Sequence, residues 1–404
     1  MIELSSRKAL SAALALAALL GFSLSSSSGR PAAVGLRAAS PGLQVPADLK
    51  PALEEIDKLV SREFAEDKVG SVTVGVVTDT GLAWTRSYGQ ADMERGVPAT
   101  ADSVYRIGSI TKQFTALMLL QLVEKGKVRL SDPVERYFPE VNKVQGRFEN
   151  APPITLGQLA TMTSGIDREP DDLQTYLVGP VSDWEKVLIS ALPKTRYRFE
   201  PDTRYHYSNI GYAILGAALS RAAGQPFTRY VEERIFAPLG MTSTAWEPND
   251  RIRAFLAKGY AVGRDGKVDA DTPAREHQGR GYKVPNGAIY TTVGDLARFV
   301  AFELGADVPS VLEKETLQDN YNRVNSSDGE LGSGYGVGFQ VSRRGAFVVF
   351  GHGGSVAGYT AAAYFHRPSR TGVIVLRNAG GDRLNPGGLA MRALELLASA
   401  PSKT

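Results

Sequence analysis

The sequence predicts an α/β fold of the α+β type. One mainly antiparallel sheet, built from both chain ends and flanked by helices, carries an inserted lobe that is mostly helical. Three observations support this prediction. Strand-like runs occur at 71–88 and return at 346–376, and apolar residues at helical spacing dominate the region between them. The 404 residues are 43% hydrophobic and 22% charged, which is ordinary for a globular chain with material for a large core.

The N-terminal segment has the features of an export signal. A basic pair, Arg7-Lys8, precedes an apolar run over 9–22 and then serine-rich residues. We predict a signal peptide over 1–28, a linker rich in Gly, Ala, Pro and Ser over 29–46, and a periplasmic or secreted protein. The apolar run is too short for a comfortable bilayer span, so we expect no stable membrane span after signal removal. An uncleaved N-terminal anchor is the open alternative.

A helix and a hairpin are predicted after the linker. Residues 47–66 place their large apolar side chains along one helical face. The β-rich runs 71–77 and 82–88 flank Asp79-Thr80-Gly81, a short turn that is typical of a hairpin.

Helical patterns fill the middle of the chain. An apolar helix starts near Ser109 and stops at Gly126, since glycine favours the position just after a helix end. Residues 127–150 are irregular. Further helices are predicted over 155–162, 182–192, 209–223, 226–236 and 293–303.

The end of the chain returns to strands and closes with one helix. These elements are predicted over 346–350, 360–365, 372–376 and, for the helix, 386–399. We therefore assign residues 47–404 to one domain. Its α/β lobe comes from 47–108 and 330–404, and its helical lobe from 109–329.

Composition excludes several classes of function. Lysine plus arginine number 46 against 43 for aspartate plus glutamate, so we expect no nucleic-acid partner. The absence of cysteine excludes disulfides, thiol nucleophiles and thiolate metal sites. The four histidines lack H-x-x-x-H and H-E-x-x-H spacing, so we expect neither a metal site nor a cofactor.

Ser109 and Lys112 are the first candidates for chemistry. They stand at i and i+3 where an apolar helix begins, so both side chains can point at one spot. Apolar neighbours and the positive end of the helix dipole both lower the pKa of a lysine amine. A neutral amine can take the serine proton and leave a nucleophile. S-x-x-K also recurs by chance, and an N-capping serine followed by a solvated lysine is the alternative.

Tyr207 and Asn209 form a second element. Alternate residues of an extended segment face the same way, so the phenol and the amide can point together. In the alternative interpretation, Tyr207 is a packed tyrosine and Asn209 caps the helix that starts at residue 210.

A third element is His352-Gly353-Gly354-Ser355, which follows the predicted strand 346–350. Glycine lets a ligand approach the backbone closely. A strand edge with bare N–H groups can bind a substrate chain or supply an oxyanion-hole donor. A tight turn or bulge is the structural alternative.

The order Ser-x-x-Lys, Tyr-x-Asn, His-x-Gly resembles the signature of serine hydrolases related to class C β-lactamases and D-alanyl-D-alanine peptidases. Further phrases that look like this family extend the resemblance over most of residues 47–395. They are Tyr105-Arg106-Ile107-Gly108-Ser109, Met162-Thr163-Ser164-Gly165, Tyr207-Ser208-Asn209-Ile210-Gly211-Tyr212, Phe236-Ala237-Pro238-Leu239-Gly240-Met241, Asp295-Leu296-Ala297-Arg298-Phe299 and Tyr335-Gly336-Val337-Gly338-Phe339. The resemblance implies a β-lactamase/transpeptidase-like fold.

The resemblance also implies catalytic roles. Ser109 is expected to be the acylated nucleophile, with Lys112 lowering the cost of its deprotonation. Tyr207 is expected to carry protons between Ser109, the leaving group and the deacylating water. Which of Lys112 and Tyr207 is the formal base stays open, because their titrations are coupled.

Substrate binding is assigned by the same resemblance. Asn209 is expected to bind the substrate amide or to hold Lys112, and the backbone N–H groups of Ser109 and Ser355 to form the oxyanion hole beside Gly354. His352 stands where β-lactamases carry lysine. Histidine is largely neutral at pH 7 and offers no permanent cation to a substrate carboxylate.

We therefore predict an exported serine hydrolase that acts through an acyl-enzyme on a small-molecule or peptide substrate. Esterase or D-amino-acid peptidase activity is favoured over efficient β-lactamase activity, and the oligomeric state is left open. Loops 166–195 and 250–285 are expected to shape the pocket.

Three alternative functions stay open: a β-lactamase proper, a non-catalytic penicillin-recognising or scaffold protein of this fold, and an α/β-hydrolase. The last is suggested by Gly353-Gly354-Ser355-Val356-Ala357, which nearly matches G-x-S-x-G, but the acid-then-histidine order that this fold needs after the serine is missing.

Overall fold

A nine-stranded antiparallel sheet, drawn from both ends of the chain, organises the fold. The structure, a computed structural model, describes residues 43, 45–306, 311–321, 325–326, 332–381 and 384–399. The strands within these residues are β1 Ser71–Thr78, β2 Gly81–Asp92, β3 Val97–Pro98, β4 Tyr105–Arg106, β5 Ala261–Val262, β6 Val268–Asp269, β7 Tyr290–Thr291, β8 Asn325–Ser326, β9 Ser333–Tyr335, β10 Gln340–Arg344, β11 Phe347–Val356, β12 Tyr359–His366 and β13 Thr371–Arg377.

The strand order is β3-β2-β1-β13-β12-β11-β10-β9-β8, and β4-β7 and β5-β6 form two small separate pairs. The last strand, β13, pairs with the first, β1, with Val74 opposite Val375. Both strands are buried along their whole length, because apolar layers cover both faces of the sheet. This explains why their sequences are continuous β-branched runs instead of alternating ones.

Helices cover the sheet and fill the region between its two halves. Those in the described residues are α1 Lys50–Asp67, α2 Thr111–Glu124, α3 Leu156–Ala160, α4 Trp184–Ala191, α5 Asn209–Ala223, α6 Phe227–Val231, α7 Asp250–Arg253, α8 Asp271–Arg275, α9 Val284–Gly287, α10 Val293–Glu303, α11 Lys314–Tyr321 and α12 Pro386–Ala398. A π-helical turn, Glu232–Phe236, continues α6. Helices α1 and α12 pack on one face of the sheet, and α10 packs on the other with α2 behind it.

The predicted fold class is confirmed, and two local predictions need correction. Strand β11 does not end at residue 350 but runs through His352-Gly353-Gly354-Ser355, because Gly353 and Gly354 pair with Ala362 and Ala361 of β12. The cap of α5 is Ser208, whose Oγ accepts from the Gly211 N–H, and Asn209 is the first helical residue. Its side chain is therefore free for another role.

The N-terminal predictions fall outside this description. The predicted signal peptide, 1–28, and most of the predicted linker, 29–46, lie outside the described residues. Among the helices that are described, none combines the length and the apolar composition that crossing a bilayer requires.

Candidate active site

Ser109 lies in a 3-10 turn, Gly108–Ile110, immediately before α2. This turn packs directly against β11. A methyl group at Gly354 would lie 1.9 Å from the Ile107 carbonyl oxygen, and one at Gly108 would lie 2.8 Å from the Ser355 nitrogen. Only glycine permits such an approach. The two glycines thus bring the backbone of Ser109 next to that of Ser355, the pair expected to supply the oxyanion-hole N–H groups.

Lys112 is fully buried, because α2 is surrounded by protein along the whole stretch from Thr111 to Leu122. Its Nζ lies 3.1 Å from Ser109 Oγ, 2.7 Å from Asn209 Oδ1 and 3.1 Å from the Asn286 carbonyl oxygen. Burial lowers the pKa of Lys112 well below its ordinary value, and the charge of Lys283 lowers it further. Burial thus favours the neutral amine, which is the form that can accept a proton.

Tyr207 precedes the Ser208 cap and lies over the amine of Lys112. Its ring centroid is 4.9 Å from Lys112 Nζ, and its hydroxyl interacts with the side chain of Ser109. Burial raises the pKa of Tyr207, and the Ser109 contact opposes this only in part. The phenol therefore keeps its proton at neutral pH, which suits a proton donor.

Asn209 connects Lys112 to a buried carboxylate. Its Oδ1 accepts from Lys112 and its Nδ2 donates to Glu169 Oε1 at 2.7 Å. Glu169 Oε1 also accepts from Lys283 Nζ at 2.8 Å, and Tyr282 donates to Glu169 Oε2. Burial by itself would raise the pKa of Glu169. The charge of Lys283 and the hydrogen bonds outweigh it, and the pKa lies below its ordinary value.

His352 lies inside β11 and is buried. Its Nδ1 faces the Gly353 carbonyl oxygen, which can only accept, so Nδ1 carries the proton and Nε2 accepts from the Tyr335 hydroxyl at 3.1 Å. Burial, together with the charge of Lys112, lowers the pKa of His352 to about 3. The position that holds lysine in β-lactamases is thus occupied by a neutral ring.

Arg168 is the exposed cation at the rim of this site. Its Cζ lies 4.8 Å from the centroid of the Tyr207 ring, on which the guanidinium stacks. Within the described residues, its guanidinium has no hydrogen-bonded or ion-pair partner among the side chains. A charged group of a ligand can therefore reach it without displacing a protein carboxylate.

The structure brings together Ser109, Lys112, Tyr207 and Asn209, with β11 beside them. Sequence reasoning did not find Glu169, Lys283, Asn286 and Tyr335 as parts of the site. Glu169 and Lys283 lie in the two loops that were expected to shape the pocket, but nothing local in those loops marks either residue. In the part of the chain that the structure describes, no three His, Asp or Glu side chains converge as a metal site.

Comparison with known proteins places this geometry in a family. The family model described as Beta-lactamase matches residues 56–397. The D-alanyl-D-alanine-carboxypeptidase/endopeptidase AmpH of Escherichia coli K12 is 32% identical over 61% of this chain and 63% of its own length. The chain spans 59% to 64% of the length of the curated relatives that it matches first.

Two solved structures share the fold. The octameric penicillin-binding protein homologue from Pyrococcus abyssi matches with a TM-score of 0.72 and 26% identity, over 86% of this chain and 77% of that one. A D-stereospecific amidohydrolase from Streptomyces sp. matches with a TM-score of 0.67 and 24% identity, over 84% and 98%, which supports the fold alone. Members of the matched family are generally serine hydrolases. The chain belongs to the β-lactamase family.

Proposed function

We propose that this protein is an exported serine hydrolase that forms an acyl-enzyme on Ser109 with ester or amide substrates. The observation that carries the proposal is the position of Lys112, whose buried amine lies 3.1 Å from Ser109 Oγ. Burial favours the neutral amine, and a neutral amine at hydrogen-bond distance can take the serine proton.

The chemistry then follows in order. Lys112 takes the Ser109 proton as Oγ attacks the substrate carbonyl, and the backbone N–H groups of Ser109 and Ser355 bind the oxygen that becomes negative. The Tyr207 phenol gives its proton to the leaving group and regains one from Lys112. A water attacks the acyl-enzyme by the reverse proton path, and the acid is released.

The proposed substrate class rests on His352. A neutral, buried histidine supplies no cation where β-lactamases carry lysine, so binding of a β-lactam carboxylate at β11 is weaker. The AmpH relative is named as a carboxypeptidase and endopeptidase on D-alanyl-D-alanine peptides. We therefore place short esters and D-amino-acid peptides ahead of β-lactams as substrates.

Export is proposed from composition alone. The Arg7-Lys8 pair, the apolar run over 9–22 and the serine-rich residues after it are typical of a signal peptide. A cytoplasmic location of the expressed protein, found by fractionation of the producing cells, would contradict this part of the proposal.

The test is covalent labelling with a fluorophosphonate probe, followed by peptide mapping. We expect a label on Ser109 that is lost in Ser109→Ala. Ser355→Ala is the matched control: it removes a nearby hydroxyl but keeps the backbone N–H, so labelling should continue. Loss of label in Ser355→Ala alone would make Ser355 the nucleophile, as the α/β-hydrolase alternative requires.

Turnover distinguishes an enzyme from a binding protein. Steady-state rates on p-nitrophenyl esters, D-Ala-D-Ala peptides and nitrocefin, measured with the same preparation, should rank nitrocefin last. A chain that labels but turns over none of them is the non-catalytic alternative. Nitrocefin hydrolysis faster than the other two would make the protein a β-lactamase.

A further inference from the structure

The hydrogen bonds of Lys112 leave one direction for its reactive electron pair. Asn209 Oδ1 and the Asn286 carbonyl oxygen are acceptors only, and they lie 2.7 Å and 3.1 Å from Nζ. Each takes one N–H of the amine. A neutral amine has two N–H groups, so its lone pair faces the remaining neighbour, Ser109 Oγ. That is the orientation in which Lys112 accepts the serine proton.

This orientation depends on which end of the Asn209 amide faces Lys112. An asparagine side chain can turn over, and its amide nitrogen would then donate to the lysine lone pair and compete with Ser109 for it. Glu169 prevents this. Its carboxylate accepts only, so the Asn209 nitrogen must face Glu169 and the Asn209 oxygen must face Lys112.

Glu169 enforces this orientation only while it is ionised, because a protonated carboxyl group carries an O–H that could donate to the Asn209 oxygen instead. Its side chain is mostly buried, where a lone carboxylate would be costly. Lys283, also mostly buried, donates to the same oxygen that Asn209 contacts, and Tyr282 donates to the other. The carboxylate is therefore paired and hydrogen-bonded on both oxygens, and it stays an acceptor.

We propose that Glu169 is a positioning residue of this site: through the Asn209 side chain it directs the lone pair of Lys112 at Ser109, and Lys283 keeps it in the acceptor state. The inference rests on the proposed function, because it assumes that Ser109 is a nucleophile. Glu169 touches no reacting atom: it orients Lys112 through Asn209, and its charge also acts on the titration of Lys112.

Several charged or titratable groups face Lys112, and they predict how each change moves its titration. They are Lys283 and Arg168, whose charges lower the pKa of Lys112, Glu169, whose charge raises it, and the neutral groups Tyr207, Tyr212 and His352. Removing Glu169 and removing Lys283 should therefore move the titration in opposite directions.

The experiment measures the second-order rate of fluorophosphonate labelling as a function of pH, on the full-length chain. In wild type the rate should rise with pH as Lys112 loses its proton, and then level off. Glu169→Gln should lower the plateau by about 10- to 100-fold, since a glutamine amide can present either its oxygen or its NH2 group to Asn209 and no longer fixes which end of the Asn209 amide faces Lys112. It should also shift the rising limb of the pH profile to lower pH by about one unit, because the Glu169 anion that raises the pKa of Lys112 has been removed.

Lys283→Gln is the counterpart. It keeps the contact between Glu169 and Asn209, so its plateau should fall by less than that of Glu169→Gln. Its rising limb should shift to higher pH, because the Lys283 cation that lowers the pKa of Lys112 has been removed. Glu395→Gln is the control. Glu395 lies on α12, on the opposite face of the sheet from α2, in an exposed ion pair with Arg344. This variant removes the same charge as Glu169→Gln and should alter neither the rising limb nor the plateau of the pH profile.

The outcomes separate the two claims. Absence of labelling in wild type overturns the proposed function. Labelling in wild type with an undiminished plateau in Glu169→Gln overturns the inference alone, whether or not the rising limb moves, because the limb responds to charge and the plateau to orientation. A merely structural role would lower the plateau without moving the limb, and that result also overturns it. If Glu169→Gln proves unfolded by circular dichroism, the limb of Lys283→Gln decides, and an unmoved limb there overturns the inference.

Discussion

Two buried clusters of basic residues flank the turn that carries Ser109, and they differ in the kind of cation they hold. The lysine cluster consists of Lys112, Asn209, Glu169 and Lys283. The arginine cluster consists of Arg106, Glu276, Arg280, His277, Tyr290 and Tyr359.

Arg106 and Arg280 are buried and share one carboxylate oxygen, Glu276 Oε2, which lies 3.1 Å from Arg106 Nη1. Each cluster thus holds two lysine or arginine side chains and one carboxylate, and the arginine cluster also contains His277.

The difference lies in whether the cation can lose its charge. Burial lowers the pKa of Arg280 only to about 10, so it stays charged at neutral pH, whereas lysine in a comparable setting can become neutral. Arg106 stacks near the Tyr290 and Tyr359 rings, and its Nε and Nη2 have no hydrogen-bond acceptor among the described residues. The arginine cluster therefore keeps its charge and supports the structure, whereas the lysine cluster contains an amine whose neutral form is favoured by burial, as the proposed base requires. Four changes test this contrast.

The largest expected effect is on activity, in the lysine cluster. Lys112→Met removes the base and should reduce kcat/KM for p-nitrophenyl esters by about 100- to 10,000-fold. Its melting temperature should change little, because the relief of no longer burying an amine offsets the loss of the donor to Asn209 Oδ1 and to the Asn286 carbonyl oxygen. A variant that is folded and fully active would remove Lys112 from the mechanism.

The next effect is on stability, in the arginine cluster. Glu276→Gln leaves two buried guanidinium groups without a counter-ion and should cost about 3 to 5 kcal/mol in the free energy of unfolding, measured in urea. Arg106→Met is its control. It leaves the pair of Arg280 and Glu276 intact and relieves the repulsion between two cations, so its loss should be much smaller. Equal losses would show that the two arginines do not share the carboxylate as described.

His352 gives a third test, since it is a buried basic side chain whose pKa, like that of Lys112, is lowered by burial. Its pKa is lowered in the folded state, so between about pH 6.5 and 3 the unfolded state binds the proton that the folded state refuses. The folded state should lose about 1.4 kcal/mol per pH unit through this residue as the pH falls below about 6. His352→Gln should therefore show a smaller drop in melting temperature between pH 7 and pH 5 than wild type. An identical drop would mean that His352 is protonated when folded.

The smallest effect concerns Arg168, an arginine left outside both clusters. Its exposed guanidinium stays charged beside Tyr207, so it can attract a substrate carboxylate that His352 cannot. Arg168→Gln should lower kcat/KM by about 3- to 10-fold for an ester with a carboxylate on its acyl chain, and hardly at all for the corresponding methyl ester. Equal effects on the two esters would exclude a role for charge.

Features that depend on neighbouring residues were predictable from the sequence. Helix α2 and the i, i+3 spacing of Ser109 and Lys112 follow from a continuous apolar run, and the β1–β2 hairpin follows from two β-branched runs around a short turn. The fold class was predicted correctly because the order of strands and helices is itself local information. Family resemblance supplied Tyr207 and Asn209, whose own local patterns were ambiguous.

Contacts between distant parts of the chain were decided only by the tertiary structure. Lys112 meets Asn209 across 97 positions and the Asn286 carbonyl across 174, separations that no periodic pattern encodes. Glu169 and Lys283 look like ordinary surface charges in loops until packing desolvates them and places them beside Asn209. Strand β11 continues through Gly353 and Gly354 because both pair with β12. Gly354 also has no side chain to clash with the turn that carries Ser109. The sequence by itself determined which side chains could do chemistry at Ser109; packing decided their charge states and where the proton acceptor points, because both depend on burial and on partners from remote segments.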